Sequence, residues 1–382
     1  MTIPEEFSRF PDHWEVLPFS KAVKDATSGN VKVQKGDYLE SGSIPIVDQG
    51  QSLYGGYTDE QSAICKSELP TIVFGDHTRT FKFIEERFVL GADGAKVLEP
   101  LENLDKRFLF HYLKQLRIES AGYSRHFKFL KETYVPVPPL AEQKRIAAIL
   151  DKADALRRKR QQAIDLADQF LRSVFLDMFG DPVTNPKKFP VGTIRDMVES
   201  ANYGTSAKAS ETVGKYPVLR MGNITYQGGW DFSDLKYIDL TEKELPKYLV
   251  YQGDLLFNRT NSRELVGKTA VYDQSEPMAF AGYLVRVRTN VKGNTHYLSG
   301  YLNSAHGKSV LVGMCKSIVG MANINAQELQ DIKILIPPVE LQNQYEQIVT
   351  ALKERMANHH SSLKELNDLF ASLSQGAFAG KL

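Results

Sequence analysis

The sequence predicts an α+β protein made twice over: two globular mixed α/β domains separated by two long helices that pair as an antiparallel coiled coil, with a pseudo-two-fold internal repeat. A long self-match is the first observation behind this. The run VPVPPLAEQKRIAAILDKADALRRKRQQAIDLADQF starts at Val135, and ILIPPVELQNQYEQIVTALKERMANHHSSLKELNDL starts at Ile334. Pro139 and Pro338 set the offset at 199 (338 − 139), and the register holds without a gap through Phe179 and Phe378. A weaker echo precedes each copy: HWEVLPFSKAV from His13 answers KFPVGTIRDMV from Lys188, with Trp14 opposite Phe189 and Val23 opposite Val198. Both long runs also space their apolar residues by three and four, as paired helices do. A chain built this way most simply binds something that itself has two similar halves.

Residues 1–137 form the first block. Short apolar runs bounded by Gly, Pro, Asn and Asp predict strands at IPIVDQG (Ile44), TIVFGD (Thr71), RFVLGADG (Arg87) and AKVLEP (Ala95). From Leu104, a spacing of four sets Phe108, Tyr112 and Leu116 on one helix face. Residues 138–181 hold the central helix, which has no Gly or Pro from Ala141 to Phe179. Residues 182–336 repeat the texture of the first block, with strands expected at YPVLRMGNI (Tyr216), DLLFNRT (Asp254), KTAVYD (Lys268) and GYLVRVRT (Gly282), and one helix over HYLSGYLNSAHGKSVL from His296. Residues 337–382 hold the second long helix.

In the central helix the seam falls at Ile146, Ile149, Ala153, Leu156, Ala163, Ala167, Phe170 and Val174, and breaks at Arg160. Its C-terminal counterpart has Tyr345, Ile348, Leu352, Leu366, Leu369 and Leu373, with His359 opposite the break. At ~1.5 Å per residue such a helix is about 60 Å long. A Pro-Pro pair precedes each helix and blocks helix upstream; Gly180-Asp181-Pro182 stops the first, and Gly380 follows the second. Seams this long must be covered, and pairing the two helices antiparallel, with a block at each end, covers both. Arg160 and His359 would then form a polar layer that fixes register. The same seams would serve to dimerise with another copy or to brace the domains. The RRKR run from Arg157 reads as a solvated face beside Asp151, Asp154, Asp165 and Asp168.

With 382 residues there is room for two or three domains. No apolar run approaches the ~18 residues of a membrane span, and the N-terminus lacks the core of a secretory signal, so a cytoplasmic protein is expected. Cys65 and Cys315 stand apart, without CxxC spacing. The formal net charge of +1 gives no overall basic footprint, although a local basic face can coexist with acidic surfaces. Catalytic patterns are missing: GADGAKVL at Gly91 lacks P-loop spacing, and NPKK at Asn185 is not the Asn-Pro-Pro-aromatic of an amino-methyltransferase. The eight histidines show no HExxH or other metal-ligand pattern, and GxSxG is absent.

PVPPLAEQKRIAAILDKADALRRKR and IPPVELQNQYEQI resemble the central and distal conserved regions of the specificity subunits of type I restriction-modification enzymes. The Pro-Pro-Leu-Ala-Glu-Gln signature spans Pro138 to Gln143; the second copy departs from it at Val339, Glu340 and Leu341 and recovers at Gln342. DLLFNRTNSRELVGKTAVY, from Asp254 to Tyr272, is similar to a segment common in that family's target recognition domains. The resemblance covers nearly the whole chain. It implies a non-catalytic subunit that binds double-stranded DNA, each block being a target recognition domain for one half of a split, asymmetric target while the helices fix the gap. It further implies two modification subunits docked on the helices and restriction subunits joining that core. S-adenosylmethionine, ATP and Mg would belong to those partners, with no cofactor on this chain. A structural scaffold that binds proteins through its helices and domains is the alternative.

For base reading, Arg, Lys, Asn, Gln, Ser and Thr on loops are the suitable side chains. Asn258, Arg259, Thr260, Asn261, Ser262 and Arg263 form the best such cluster, after an expected strand, with a polar turn as the alternative reading. Lys268 would position on phosphate. Arg220 and Asn223, with Asn323 and Asn325, are further candidates, open to a reading as cap or turn residues. In the first block GDHTRTFKF offers His77, Thr78, Arg79 and Lys82. GYSRHFKFL offers Tyr123, Ser124, Arg125, His126 and Lys128, with Phe127 and Phe129 expected to face the core from a strand. Arg79 and Arg125 are the preferred pair.

Overall fold

The expected strands form, and they form nearly the same way twice. A computed structural model describes residues 10–92, 94–119, 122, 125–315 and 321–382. The chain divides into two units, Met1–Arg160 with Ser362–Leu382, and Gln161–Ser361. The four segments expected from the sequence therefore assemble as two bodies, each taking one half of each long helix.

In the first unit, Val23–Asp25, Ala95–Pro100, Thr71–Gly75 and Phe81–Ile84 make an antiparallel sheet in that order. In the second, Val198–Tyr203, Leu284–Thr289, Leu255–Asn258 and Thr269–Val271 do the same. Val23 sits opposite Pro100 and Val198 opposite Thr289, so the weak sequence echo that matched Val23 with Val198 reflects one position in two like sheets. Another sheet in each unit also shares a core. Ile44–Val47 pairs antiparallel with Gly56–Thr58 and parallel with Val89–Gly91; Tyr216–Leu219 pairs antiparallel with Lys236–Ile238 and parallel with Met278–Phe280. The fourth strands differ: Lys32–Val33 joins parallel, whereas Leu249–Val250 joins antiparallel. Ile44–Val47, Thr71–Gly75 and Leu255–Asn258 are buried throughout, which is why they read as unbroken apolar runs.

Asp105 caps the helix Lys106–Leu113 through its carboxylate, which accepts from the amides of Arg107 and Phe108 at 3.0 and 2.9 Å. Phe108 and Tyr112 are buried on its inner face, as the spacing of four requires, and Leu116 packs beyond the helix end. Two expectations need correction. The helix from His296 is two helices, Thr295–Asn303 and Ala305–Met314, because the Ser304 hydroxyl accepts from the Gly307 amide at 3.0 Å and starts a new one. Phe127 and Phe129 lie in a short helix, Phe127–Lys131, not a strand. Its first turn follows Asp76, whose carboxylate accepts from the Phe127 amide at 2.7 Å.

The long helices run Leu140–Phe179 and Val339–Ala377, and Gly180 (φ 77°) ends the first. Within the first unit, Ile146, Ala147 and Leu150 near the start of the central helix share a core with Phe370, Leu373, Ala377 and Phe378 near the end of the other. In the second unit Leu171, Val174, Phe175 and Phe179 share one with Tyr345 and Val349. The pairing is antiparallel. Part of the expected seam is displaced by one residue: Leu156, Phe170 and Leu369 are 49, 54 and 50 % exposed, while Leu150, Ile164, Phe175 and Val349 are buried. Ile149, Ile348, Leu352 and Leu366 are half-buried. A two-helix heptad template considers one neighbour, but each helix also packs on a globular core, which turns its apolar face toward Phe108 and Tyr112 or toward Tyr297. The turn is the same in both copies, since Leu150 and Val349 are themselves 199 apart.

Each unit buries one histidine against the long helices. His111 Nε2 lies 2.8 Å from Asp151 Oδ1, near Lys114 and Asp154; His296 Nε2 lies 3.7 Å from Glu346, near Lys353 and Asp273. Burial holds both below the ordinary histidine range despite the facing carboxylates. The unfolded chain thus takes up protons at pH values where the folded one does not, and stability falls as pH drops below ~6.5. Urea midpoints should be lower at pH 5.5 than at 7.5, and His111→Gln with His296→Gln should flatten that slope. An unchanged slope would disprove the assignment.

Candidate nucleic-acid interface

The sequence-selected residues of the second unit converge on one hairpin. Arg259–Lys268 connects Leu255–Asn258 to Thr269–Val271, and within it Thr260–Asn261 pairs with Ala322–Asn323. Asn323 Oδ1 accepts from Arg259 Nε and from the Thr260 hydroxyl, both at 3.2 Å. The Arg259 guanidinium lies 4.9 Å from the ring centre of Tyr203, and the Arg259 carbonyl accepts from the Ile324 amide at 2.9 Å. Arg259, Thr260 and Asn323 are thus locked to one another, with Asn323 exposed. Asn261 and Ser262 are half-buried and Arg263 is exposed. Lys268 is half-buried, and burial lowers its pKa.

Four candidates of this unit serve the fold instead. Asn258 is fully buried, its carboxamide without a hydrogen-bonding partner among the described residues, and cannot reach a duplex. Asn223 is buried too: its Oδ1 accepts from the Arg220 amide, and its Nδ2 donates to the carbonyls of Asp231 and Asp234. Arg220 is spent on Asp234, 2.7 Å from Oδ2. Asn325 caps the helix Ala326–Gln330, accepting from the amides of Gln327 and Glu328. Asn and Arg suit loop closure as well as base edges, and sequence alone does not separate the two uses.

In the first unit the equivalent hairpin joins Thr71–Gly75 to Phe81–Ile84. It carries His77 and Arg79, both exposed, and half-buried Thr78, whose hydroxyl donates to the Gln49 carbonyl at 2.5 Å. Arg79 adopts φ 61°, and its guanidinium donates to the Ile118 carbonyl at 2.9 Å. Arg125 and Lys128 are exposed, Lys128 lying 4.7 Å from the Phe129 ring centre. Ser124, with Tyr123, lies outside the described residues. Lys82 and His126 require correction. Lys82 is 3 % exposed, donates to the Asp48 carbonyl at 2.8 Å and faces Asp48 Oδ1 at 3.5 Å, so it anchors a turn; burial lowers its pKa. His126 is buried, with Nδ1 2.9 Å from the Asp76 carbonyl.

The two units agree in placement. Each presents a polar hairpin after the same strand of the same sheet, and that hairpin meets the segment before the same short helix, since Phe127 and Ala326 are again 199 apart. Sequence reading missed Gln49 and Gln51, which touch the first hairpin. The signal was present: Asp48–Gln51 follows Ile44–Val47 just as Arg220–Asn223, which was selected, follows Tyr216–Leu219.

Two units of one topology, each with a polar hairpin after the same strand, define a protein built of two like halves. The chain belongs to the type I restriction modification DNA specificity domain family, whose model matches residues 13–166 and 186–368. It is 24 % identical over 314 residues to the EcoKI specificity subunit of Escherichia coli K12, covering 75 % of this chain and 68 % of that one. To the EcoR124I/EcoR124II specificity subunit of Escherichia coli it is 21 % identical over 359 residues, covering 88 and 85 %. Its fold resembles the crystal structure of a type I restriction-modification S subunit from M. genitalium, with a TM-score of 0.63, 15 % identity, and 99 and 98 % of the chains covered. Such specificity subunits are non-catalytic recognition subunits. Among the described residues no helix is long and apolar enough to cross a membrane.

Proposed function

We propose that this chain is the DNA-reading subunit of a cytoplasmic type I restriction-modification assembly, each unit reading one half of a bipartite target while the paired helices set the gap. The observation that carries this reading is the repeated hairpin: Arg259–Lys268 in one unit and Asp76–Thr80 in the other occupy one place in one sheet topology. Two copies of a reader suit two half-sites. Modification subunits dock on the helices and bring S-adenosylmethionine; restriction subunits bring ATP and Mg. Phe170 and Leu369 support two such docking places, because they are equivalent under the repeat (369 − 170 = 199) and are 54 and 50 % exposed, one in each unit. A protein-binding scaffold is not favoured by the family.

The test is a duplex library presented to the chain with its modification partner. A bipartite motif is expected, and replacing Arg259 and Asn323 with alanine should relax one half by roughly 1–3 kcal/mol per lost base contact while the other half stays fixed. Salt-dependent binding without a motif, or equal loss at both halves, would refute it.

A further inference from the structure

We propose that Gln51 is a base-reading residue of the first unit, a role for which the second unit uses Asn323; this rests on the function proposed above. The Asp48–Ser52 turn is built against the first hairpin. Lys82 anchors it from below, and the Gly50 amide donates to Asp48 Oδ1 at 2.8 Å. Gln49 fills the space beside two glycines: a Cβ on Gly75 would lie 2.7 Å from the Gln49 carbonyl oxygen, and one on Gly94 (φ 79°) 2.3 Å from Gln49 Oε1. The turn and the hairpin therefore hold one relative position.

Gln51 stands exposed on this rigid base. Its Oε1 accepts from the Thr80 hydroxyl at 3.1 Å, which fixes the orientation of the carboxamide, and its NH₂ group has no acceptor among the described residues. Asn323 in the second unit is arranged alike, its oxygen held by Arg259 and Thr260 and its NH₂ group without an acceptor among the described residues. The residue placed like Gln51 on the second unit's turn is Asn223, whose amide is consumed inside its own loop. The units thus present the same device, a carboxamide pinned by its oxygen to the reading hairpin, from different loops. Such an amide donates to base edges that carry an acceptor; the Gln51 oxygen, held by Thr80 alone, also keeps a second lone pair with which to take adenine bidentately, whereas the Asn323 oxygen already accepts two bonds and leaves only its NH₂ group for a base.

The experiment uses the full chain with its modification partner on a library randomised across both halves. Gln51→Ala should reduce discrimination at one base pair of one half by about 5- to 150-fold and leave the other half unchanged. Gln51→Glu keeps the shape and the Thr80 contact but removes the donor, so the same position should turn toward cytosine, whose amino group donates. A wild-type assembly without a bipartite motif would overturn the parent reading. A bipartite motif that Gln51→Ala leaves intact, or loss spread evenly over both halves, would overturn the Gln51 assignment alone.

Discussion

Seven residues inserted into each long helix, after Arg160 in one and after Ser361 in the other, are expected to lengthen the permitted gap by about three base pairs and leave both half-sequences unchanged. These are the points at which each helix passes from one unit into the next. Seven residues are close to two turns, so every side chain beyond the insertion keeps its face, while the rods grow by about 10 Å. At ~3.4 Å per base pair that is about three steps. Targets with the original gap can then engage one head at a time, and losing the second forfeits roughly 10²–10⁴ in affinity. Five residues make the control: they turn each helix by about 140° between its two halves, which takes the cores that each helix joins out of register with one another and should break the pairing. Selection on a library of variable gap measures the outcome. New half-sequences at an unchanged gap would end the ruler hypothesis.

The repeat carried most of what could be read in advance. Elements came through because strands buried on both faces are short, unbroken apolar runs, and because the Pro-Pro pairs and Gly180 mark where the helices begin and end. The helix seam came through in period but partly not in phase. Leu156 and Phe170 satisfy the spacing of three and four, yet which side of a helix is covered depends on the globular core beside it. Composition picked out polar segments but did not separate exposed side chains from enclosed ones. Lys82, Asn223, Asn258 and Asn325 have the right chemistry for DNA, but they close loops, cap helices or lie enclosed. Burial is a property of the folded chain. Gln49 and Gln51 were missed for the converse reason: glutamine in a DQGQS turn looks like an ordinary polar loop until Thr78 and Thr80 are seen to hold it.

Gln143 and Gln342, the residues on which the two copies of the helix signature coincide again, are expected to be among the most costly polar side chains to remove. Both are fully buried. Gln143 Oε1 accepts from the Asp105 amide at 2.7 Å, and its Nε2 donates to the carbonyls of Pro138 and Asn103 at 2.7 and 2.8 Å. Gln342 repeats the pattern: Oε1 accepts from the Asn294 amide at 2.9 Å, and Nε2 donates to Pro337 and Lys292 at 2.9 and 3.0 Å. Asp105 and Asn294 are the N-caps of the helices that line each core, so one carboxamide ties the start of a long helix to the start of a core helix. Replacing it orphans one amide and two carbonyls in a place water does not reach, at ~1–3 kcal/mol each before relaxation, so about 3–5 kcal/mol in all. Methionine separates packing from hydrogen bonding. Gln143→Met fills the same space and should still cost about 3 kcal/mol, and Gln143→Glu should cost more, because a carboxylate faces two carbonyls. Chemical unfolding of the full chain checks both. A loss under about 1 kcal/mol for the methionine variant would mean that the signature glutamine packs without tying.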